Sequence, residues 1–186
     1  MSVTENAQLW LEKAADVLNI EIEALKIQRN ALDESFVHAV ETILNVEGRL
    51  VVLGMGKSGI IAKKIAATFA STGTPAFFVH AAEAQHGDLG MITGSDAVLA
   101  LSHSGETREV CGLLPEIKRR GAKVIAITGN RASTLAQHAD TVLHIPVIRE
   151  ACSLNLAPTA STTATLALGD ALAVVILNQR GFKEED

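Results

Sequence analysis

Five short, continuous apolar runs narrow what this chain can fold into. They fall at residues 50–53, 76–79, 97–101, 123–127 and 141–145, and they are rich in Val, Ile and Leu. A run that is apolar at every position belongs to a strand covered on both faces, as in a parallel sheet. Helix-compatible stretches separate the runs: Ile60 to Ser71, Glu106 to Arg120 and Ala132 to His138. Such alternation predicts an α/β protein, a five-stranded parallel sheet with helices on both faces (an αβα sandwich). Pro115 should kink or shorten the second of these helices, and Gly121 should follow its end. Ligands of such sheets bind beyond the carboxyl ends of the strands.

Helices are expected on either side of this unit. Leu11, Ala15, Leu18, Ile22 and Leu25 form one helical stripe, and Phe36, Val40, Ile43 and Leu44 a second, after an N-cap region at Asp33. Residues 1–48 therefore read as an added helical segment, a packing or oligomer arm, and residues 49–186 as the ligand-binding domain. The tail from Thr159 to Arg180 reads as a long helix that is apolar nearly all the way round, so both sides should be covered. Thr159, Ser161 and Thr162 can cap its start, and Gly181 can end it.

Two of the strands end in turns of a phosphate-binding kind. The first is Gly54-Met55-Gly56-Lys57-Ser58-Gly59 and the second Ser102-His103-Ser104-Gly105-Glu106-Thr107. Small residues and hydroxyls between a strand end and a helix start form an anion site, because free N–H groups and the helix dipole point at one spot. On neighbouring strands the two turns would share one crevice, with Lys57 and Arg108 as its local positive charge. The spacing Gly54-x-Gly56-x-x-Gly59 also fits a dinucleotide fingerprint, but the second strand ends without the acidic residue that grips ribose, since Glu83 comes too late. A nucleotide P-loop needs a glycine where Val51 stands.

The formal net charge of −5, with no run of Lys or Arg, argues against nucleic-acid and anionic-membrane partners. No apolar run reaches the roughly 20 residues of a membrane span. The nearest, Ala164 to Leu177, is interrupted by Gly169-Asp170. Cys111 and Cys152 read as reduced cytoplasmic thiols.

The order of these pieces resembles the SIS (sugar isomerase) domain family, whose fold is flavodoxin-like and whose members bind phosphosugars. Within it, the chain is similar to the D-arabinose-5-phosphate isomerases. The strings that carry the likeness are Val51 to Gly59, Ala67 to Pro75, His86-Gly87-Asp88-Leu89-Gly90-Met91, Ser102 to Thr107, Glu150-Ala151-Cys152 and Leu156 to Thr165. The resemblance implies interconversion of D-arabinose 5-phosphate and D-ribulose 5-phosphate for Kdo and lipopolysaccharide or capsule synthesis. It also implies a cytoplasmic homotetramer with sites at subunit boundaries and no required cofactor. Lys57, His86, Glu109 and Glu150 fall at catalytic positions, and Gly73, Thr74, His80 and His86 at substrate contacts, with His80 also a position for inhibitory zinc. Many members continue beyond the equivalent of Asp186 into a His-Pro-Gly-Gly segment and two CBS modules. The expectation is a stand-alone or truncated form without that histidine.

Aldose–ketose isomerisation moves a proton between C1 and C2 through an enediol(ate). A carboxylate whose pKa is raised by burial is a natural base, and Glu150 is preferred over Glu109. Lys57 would stabilise the phosphate or the enediolate, and His86 would shuttle protons or open the sugar ring. Ser58, Ser102, Ser104 and Thr107 would hold the phosphate. Two alternatives remain: an isomerase of another phosphosugar, and a phosphosugar-sensing module without full activity.

Overall fold

The five apolar runs form β1 (Leu50–Gly54), β2 (Ala76–His80), β3 (Ala97–Leu101), β4 (Lys123–Thr128) and β5 (Thr141–His144). All are parallel, in the spatial order β2-β1-β3-β4-β5. The computed structural model describes residues 3–183, so residues 1–2 and 184–186, the outer ends of the two expected segments, lie outside the described residues. Every residue of β1 and β3 is buried, which is why these runs do not alternate.

One face of the sheet carries α1 (Val3–Asn30), α2 (Glu34–Leu44), α3 (Gly56–Ser71) and α8 (Ala160–Arg180). Ala39 and Ile43 of α2, Ile65 and Phe69 of α3 and Leu172 and Ile176 of α8 meet there with no exposed surface. Residues 34–44 of the expected arm are thus part of the domain core. The other face carries α4 (Ala81–Gln85), a 3₁₀ turn at Asp88–Met91, α5 (Arg108–Cys111), α6 (Leu114–Arg119) and α7 (Thr134–His138). Val51 and Leu53 pack there against Val110, Leu114 and Ile117. Each such buried side chain contributes about 1.5–3 kcal/mol.

Asp33 caps α2 by accepting the Ser35 N–H, as expected. The stretch predicted as one helix from Glu106 to Arg120 is broken between Cys111 and Leu114, with Pro115 in the first turn of α6. A proline N–H is not required there, whereas further inside it would remove a hydrogen bond.

By length and composition α8 could cross a membrane. It is instead a core helix crossing α3. A β-carbon on Gly169 would stand 2.4 Å from Ile65 Cδ1, so glycine permits the close approach. The neighbouring Asp170 accepts from Lys64 of α3 at 2.5 Å. The Gly169-Asp170 interruption is therefore the contact point of two helices.

The first half of α1 behaves differently. Leu11, Leu18 and Ile22 of the expected stripe are 68%, 59% and 48% exposed, and the adjacent Trp10 is 65% exposed. Among the residues of α1 whose side chains are described, Ala24 and Gln28, further along, are buried.

Candidate active site

In the order β2-β1-β3-β4-β5 the winding of the sheet reverses between β1 and β3, and a crevice opens at such a switch point beyond the carboxyl ends of the strands. Both phosphate-type turns lie there, because β1 and β3 are hydrogen-bonded neighbours.

The first turn is shorter than expected. α3 begins at Gly56, not Ile60, so Lys57 and Ser58 occupy its first turn. Gly56 has φ +58°, and a β-carbon there would meet nothing within 4 Å, so conformation alone demands glycine. The helix start has no side-chain cap and no acidic residue. Its first N–H groups are left for water or a ligand, and the exposed Lys57 adds positive charge at the same end.

The second turn is braced from within. Ser102 Oγ accepts from the Gly105 N–H at 3.1 Å and lies 2.8 Å from Thr107 Oγ1. Ser104 Oγ accepts from the Glu106 N–H at 3.2 Å. Glu106 in turn accepts from both the N–H and the hydroxyl of Thr134, each at 2.8 Å, which ties the turn to the start of α7. Gly105 has φ +69°, and its carbonyl accepts from the Leu135 N–H at 3.0 Å.

A cavity of about 350 Å³ adjoins these turns. Ser58, His103, Arg149, Glu150, Ser161 and Thr165 are among its lining residues. Glu150 sits in the loop between β5 and α8, and its carboxylate closes the start of α8. Oε2 accepts from the Thr159 N–H at 2.8 Å, the Thr159 hydroxyl at 3.1 Å and the Ser161 N–H at 3.2 Å. Oε1 accepts from the Ser161 hydroxyl. The loop is further pinned by the Glu150 N–H to Asn155 Oδ1 at 2.7 Å, with Asn155 at φ +53°.

These contacts correct two expectations. The hydroxyls at the start of α8 do not cap it: Thr159 makes no side-chain cap bond, the Thr159 and Ser161 hydroxyls donate to Glu150, which closes the helix start from outside, and the Thr162 hydroxyl donates back to the Thr159 carbonyl. The Glu150 pKa is also not raised. Burial alone would push it up, but the hydrogen bonds from Ser161 and Thr159 outweigh that and hold it below the usual carboxylate value.

The remaining expected site residues divide by position. Glu109 is half-buried on α5, and its carbonyl accepts from Gln85 Nε2 at 3.2 Å, which places α4 and α5 together on the opposite face of the sheet from α8. His86 is the exposed C-cap of α4, and Asp88 opens the 3₁₀ turn without capping it. His80 ends β2 beside Gly54, with Nδ1 buried and unpartnered. No group of three or more metal-ligating side chains occurs among the described residues, so His80 finds no complete zinc site in one chain. Gly73 and Thr74 precede the amino end of β2, about 20 Å of strand from the crevice. Gly73 lies under the Phe182 ring, and Thr74 is buried, so this pair does not join the crevice within one chain.

Two lining residues were missed by sequence reasoning. Arg149, next to Glu150 in sequence, is exposed and has no polar partner among the described residues. His103 lies in the second turn and is among the residues lining the cavity. Only a pairing of each with neighbours distant in sequence could have revealed this.

Comparison with known proteins bears on the family of the chain. The SIS domain family matches residues 43–175. Arabinose 5-phosphate isomerase KdsD of Pseudomonas aeruginosa is 53% identical over 186 residues, 100% of this chain and 57% of that protein. The Yersinia pestis protein of the same name is 56% identical over 170 residues, 91% of this chain and 52% of that one. The chain thus spans about half the length of the curated relatives it matches. A protein of E. coli CFT073, solved in complex with arabinose 5-phosphate, superposes with a TM-score of 0.93 at 40% identity, covering 100% of this chain and 97% of that one.

Proposed function

The chain belongs to the SIS domain family, and from that premise we propose that it interconverts D-arabinose 5-phosphate and D-ribulose 5-phosphate. The observation that carries the reading is the convergence of two uncapped or self-braced anion turns on a cavity containing a fixed carboxylate. The identity to the KdsD isomerases, and the neighbour solved with arabinose 5-phosphate, supply the substrate.

The phosphate is held by the N–H groups at the start of α3 and by the hydroxyls of Ser58, Ser102, Ser104 and Thr107. Lys57 and Arg149 supply the positive charge. Among the proposed catalytic side chains, Glu150 lines the cavity. Its hydrogen bonds trade basicity for orientation: it is ionised at neutral pH, and four donors leave room for a further one at Oε1. Glu150 takes the C2 proton of the aldose, the electron pair forms the C1–C2 double bond of an enediolate, and the proton returns at C1. Lys57 stabilises the negative oxygen. Glu109 and His86, from the α4–α5 side, move the hydroxyl protons, and no cofactor takes part.

The assembly is a homotetramer in the cytoplasm, with the exposed face of α1 as a contact between copies, and its product enters Kdo and lipopolysaccharide synthesis. The exposed Leu11, Leu18 and Ile22 of the apolar stripe, with the neighbouring Trp10, support the contact. Incubation with arabinose 5-phosphate in deuterium oxide tests the activity. Ketose carrying solvent deuterium at C1 is expected, and Glu150→Gln should abolish the exchange. Binding without conversion would assign a sensing module instead.

A further inference from the structure

We propose that His103 is a substrate-binding, specificity-determining residue whose imidazole hydrogen-bonds to hydroxyls of the sugar chain beside Glu150. The proposal rests on the isomerase reading above and extends it to a side chain outside the sets already assigned.

His103 stands between two serines of the phosphate turn, and its main chain is fixed. The carbonyl accepts from the Gly129 N–H at 2.9 Å and from Thr128 Oγ1 at 3.2 Å. The ring rests on Gly129. A β-carbon at that position would lie 2.5 Å from Cε1, 2.9 Å from Nδ1 and 3.1 Å from Nε2 of His103. Gly129 is not among the glycines with positive φ, so space for the imidazole, and not backbone conformation, accounts for its missing side chain. The ring is thereby seated on the end of β4 while it lines the cavity with Ser58, Glu150 and Ser161.

The ring nitrogens have no hydrogen-bond partner among the described residues. Glu150 does not engage them, because its carboxylate is turned onto α8. A neutral imidazole offers one donor and one acceptor. That suits a polyhydroxylated chain anchored by its phosphate one residue away on either side. An exposed polar ring held in place, without any protein partner, is a contact prepared for a ligand.

Steady-state kinetics with arabinose 5-phosphate on the whole chain test this, with parallel calorimetric binding. His103→Ala should raise KM about five- to tenfold, the loss of one or two hydrogen bonds to hydroxyls, with kcat changed much less. His103→Gln, which keeps a donor and an acceptor, should recover part of the loss. Gly129→Ala should displace the ring and raise KM similarly, while the melting temperature stays close to that of the parent. The double variant should be no worse than either single one. An unchanged KM in His103→Ala, alongside a raised KM in Thr107→Ala, would overturn the role of His103 and leave the isomerase reading intact. Multiplying effects in the double variant would overturn the seat on Gly129. A parent that neither binds nor converts the sugar would remove the isomerase reading, and this proposal with it.

Discussion

Replacing Glu150 by alanine should loosen the fold as well as stop the chemistry. The carboxylate accepts the Thr159 and Ser161 N–H groups at the start of the 21-residue helix α8, as a cap would, and α8 forms a large part of one core face. Losing a cap costs about 1 kcal/mol, with a range of about 0.5–2. Removing a negative charge from a helix start adds about 0.3–1 kcal/mol. The Ser161 side chain, only 2% exposed, would lose its acceptor, at about 1–3 kcal/mol. Partial exposure of Glu150 and rebonding of Ser161 pull the sum down to about 2–4 kcal/mol. For a chain of 186 residues this lowers the melting temperature by about 5–15 °C. Scanning calorimetry at one fixed protein concentration is the assay, because association also moves the midpoint. The Glu150 pKa is lowered in the folded state, so its contribution is fully present above its ordinary value of 4.5 and is lost as pH falls through the folded value. The gap between parent and Glu150→Ala should therefore be constant from pH 8 to about 5 and narrow below that. A variant melting within about 1 °C of the parent at pH 7 would refute the capping role.

Gly105→Ala should destabilise by at least about 2 kcal/mol, since it combines a left-handed backbone with overpacking. The new β-carbon would lie 2.0 Å from Ser133 Oγ, and a urea midpoint equal to the parent's would contradict this. Arg149→Ala should weaken arabinose 5-phosphate binding about tenfold or more, yet change unfolding free energy by less than about 0.5 kcal/mol, because no ion pair is broken. Equal affinities by calorimetry would exclude Arg149 from the site. Iodoacetamide should label Cys152 before Cys111. The N–H groups of Ala157 and Leu156 draw the Cys152 thiol down, whereas burial pushes Cys111 up. Peptide mass spectra showing Cys111 modified first would reverse that order.

The sheet was legible because a strand buried on both faces leaves an unbroken apolar run, and all five runs became strands. Pro115 likewise announced the break between α5 and α6. α4 escaped notice because it follows β2 directly, with no loop residues to mark its start. At the site, residue types were readable while orientations were not. The bonds from Glu150 reach residues nine and eleven positions on, and they depend on how a loop folds back over α8. That geometry reversed the pKa shift inferred from burial. The stripe on α1 was visible in the spacing of its apolar residues, but spacing does not reveal what covers it.

The stitching of the second turn to α7 through Glu106 and Thr134, and through Gly105 and Leu135, limits how the protein can regulate itself. A seat finished before its guest arrives cannot serve as a gate. Capture should proceed as a single encounter, without a slow closing phase, and control over throughput must come from elsewhere in the molecule.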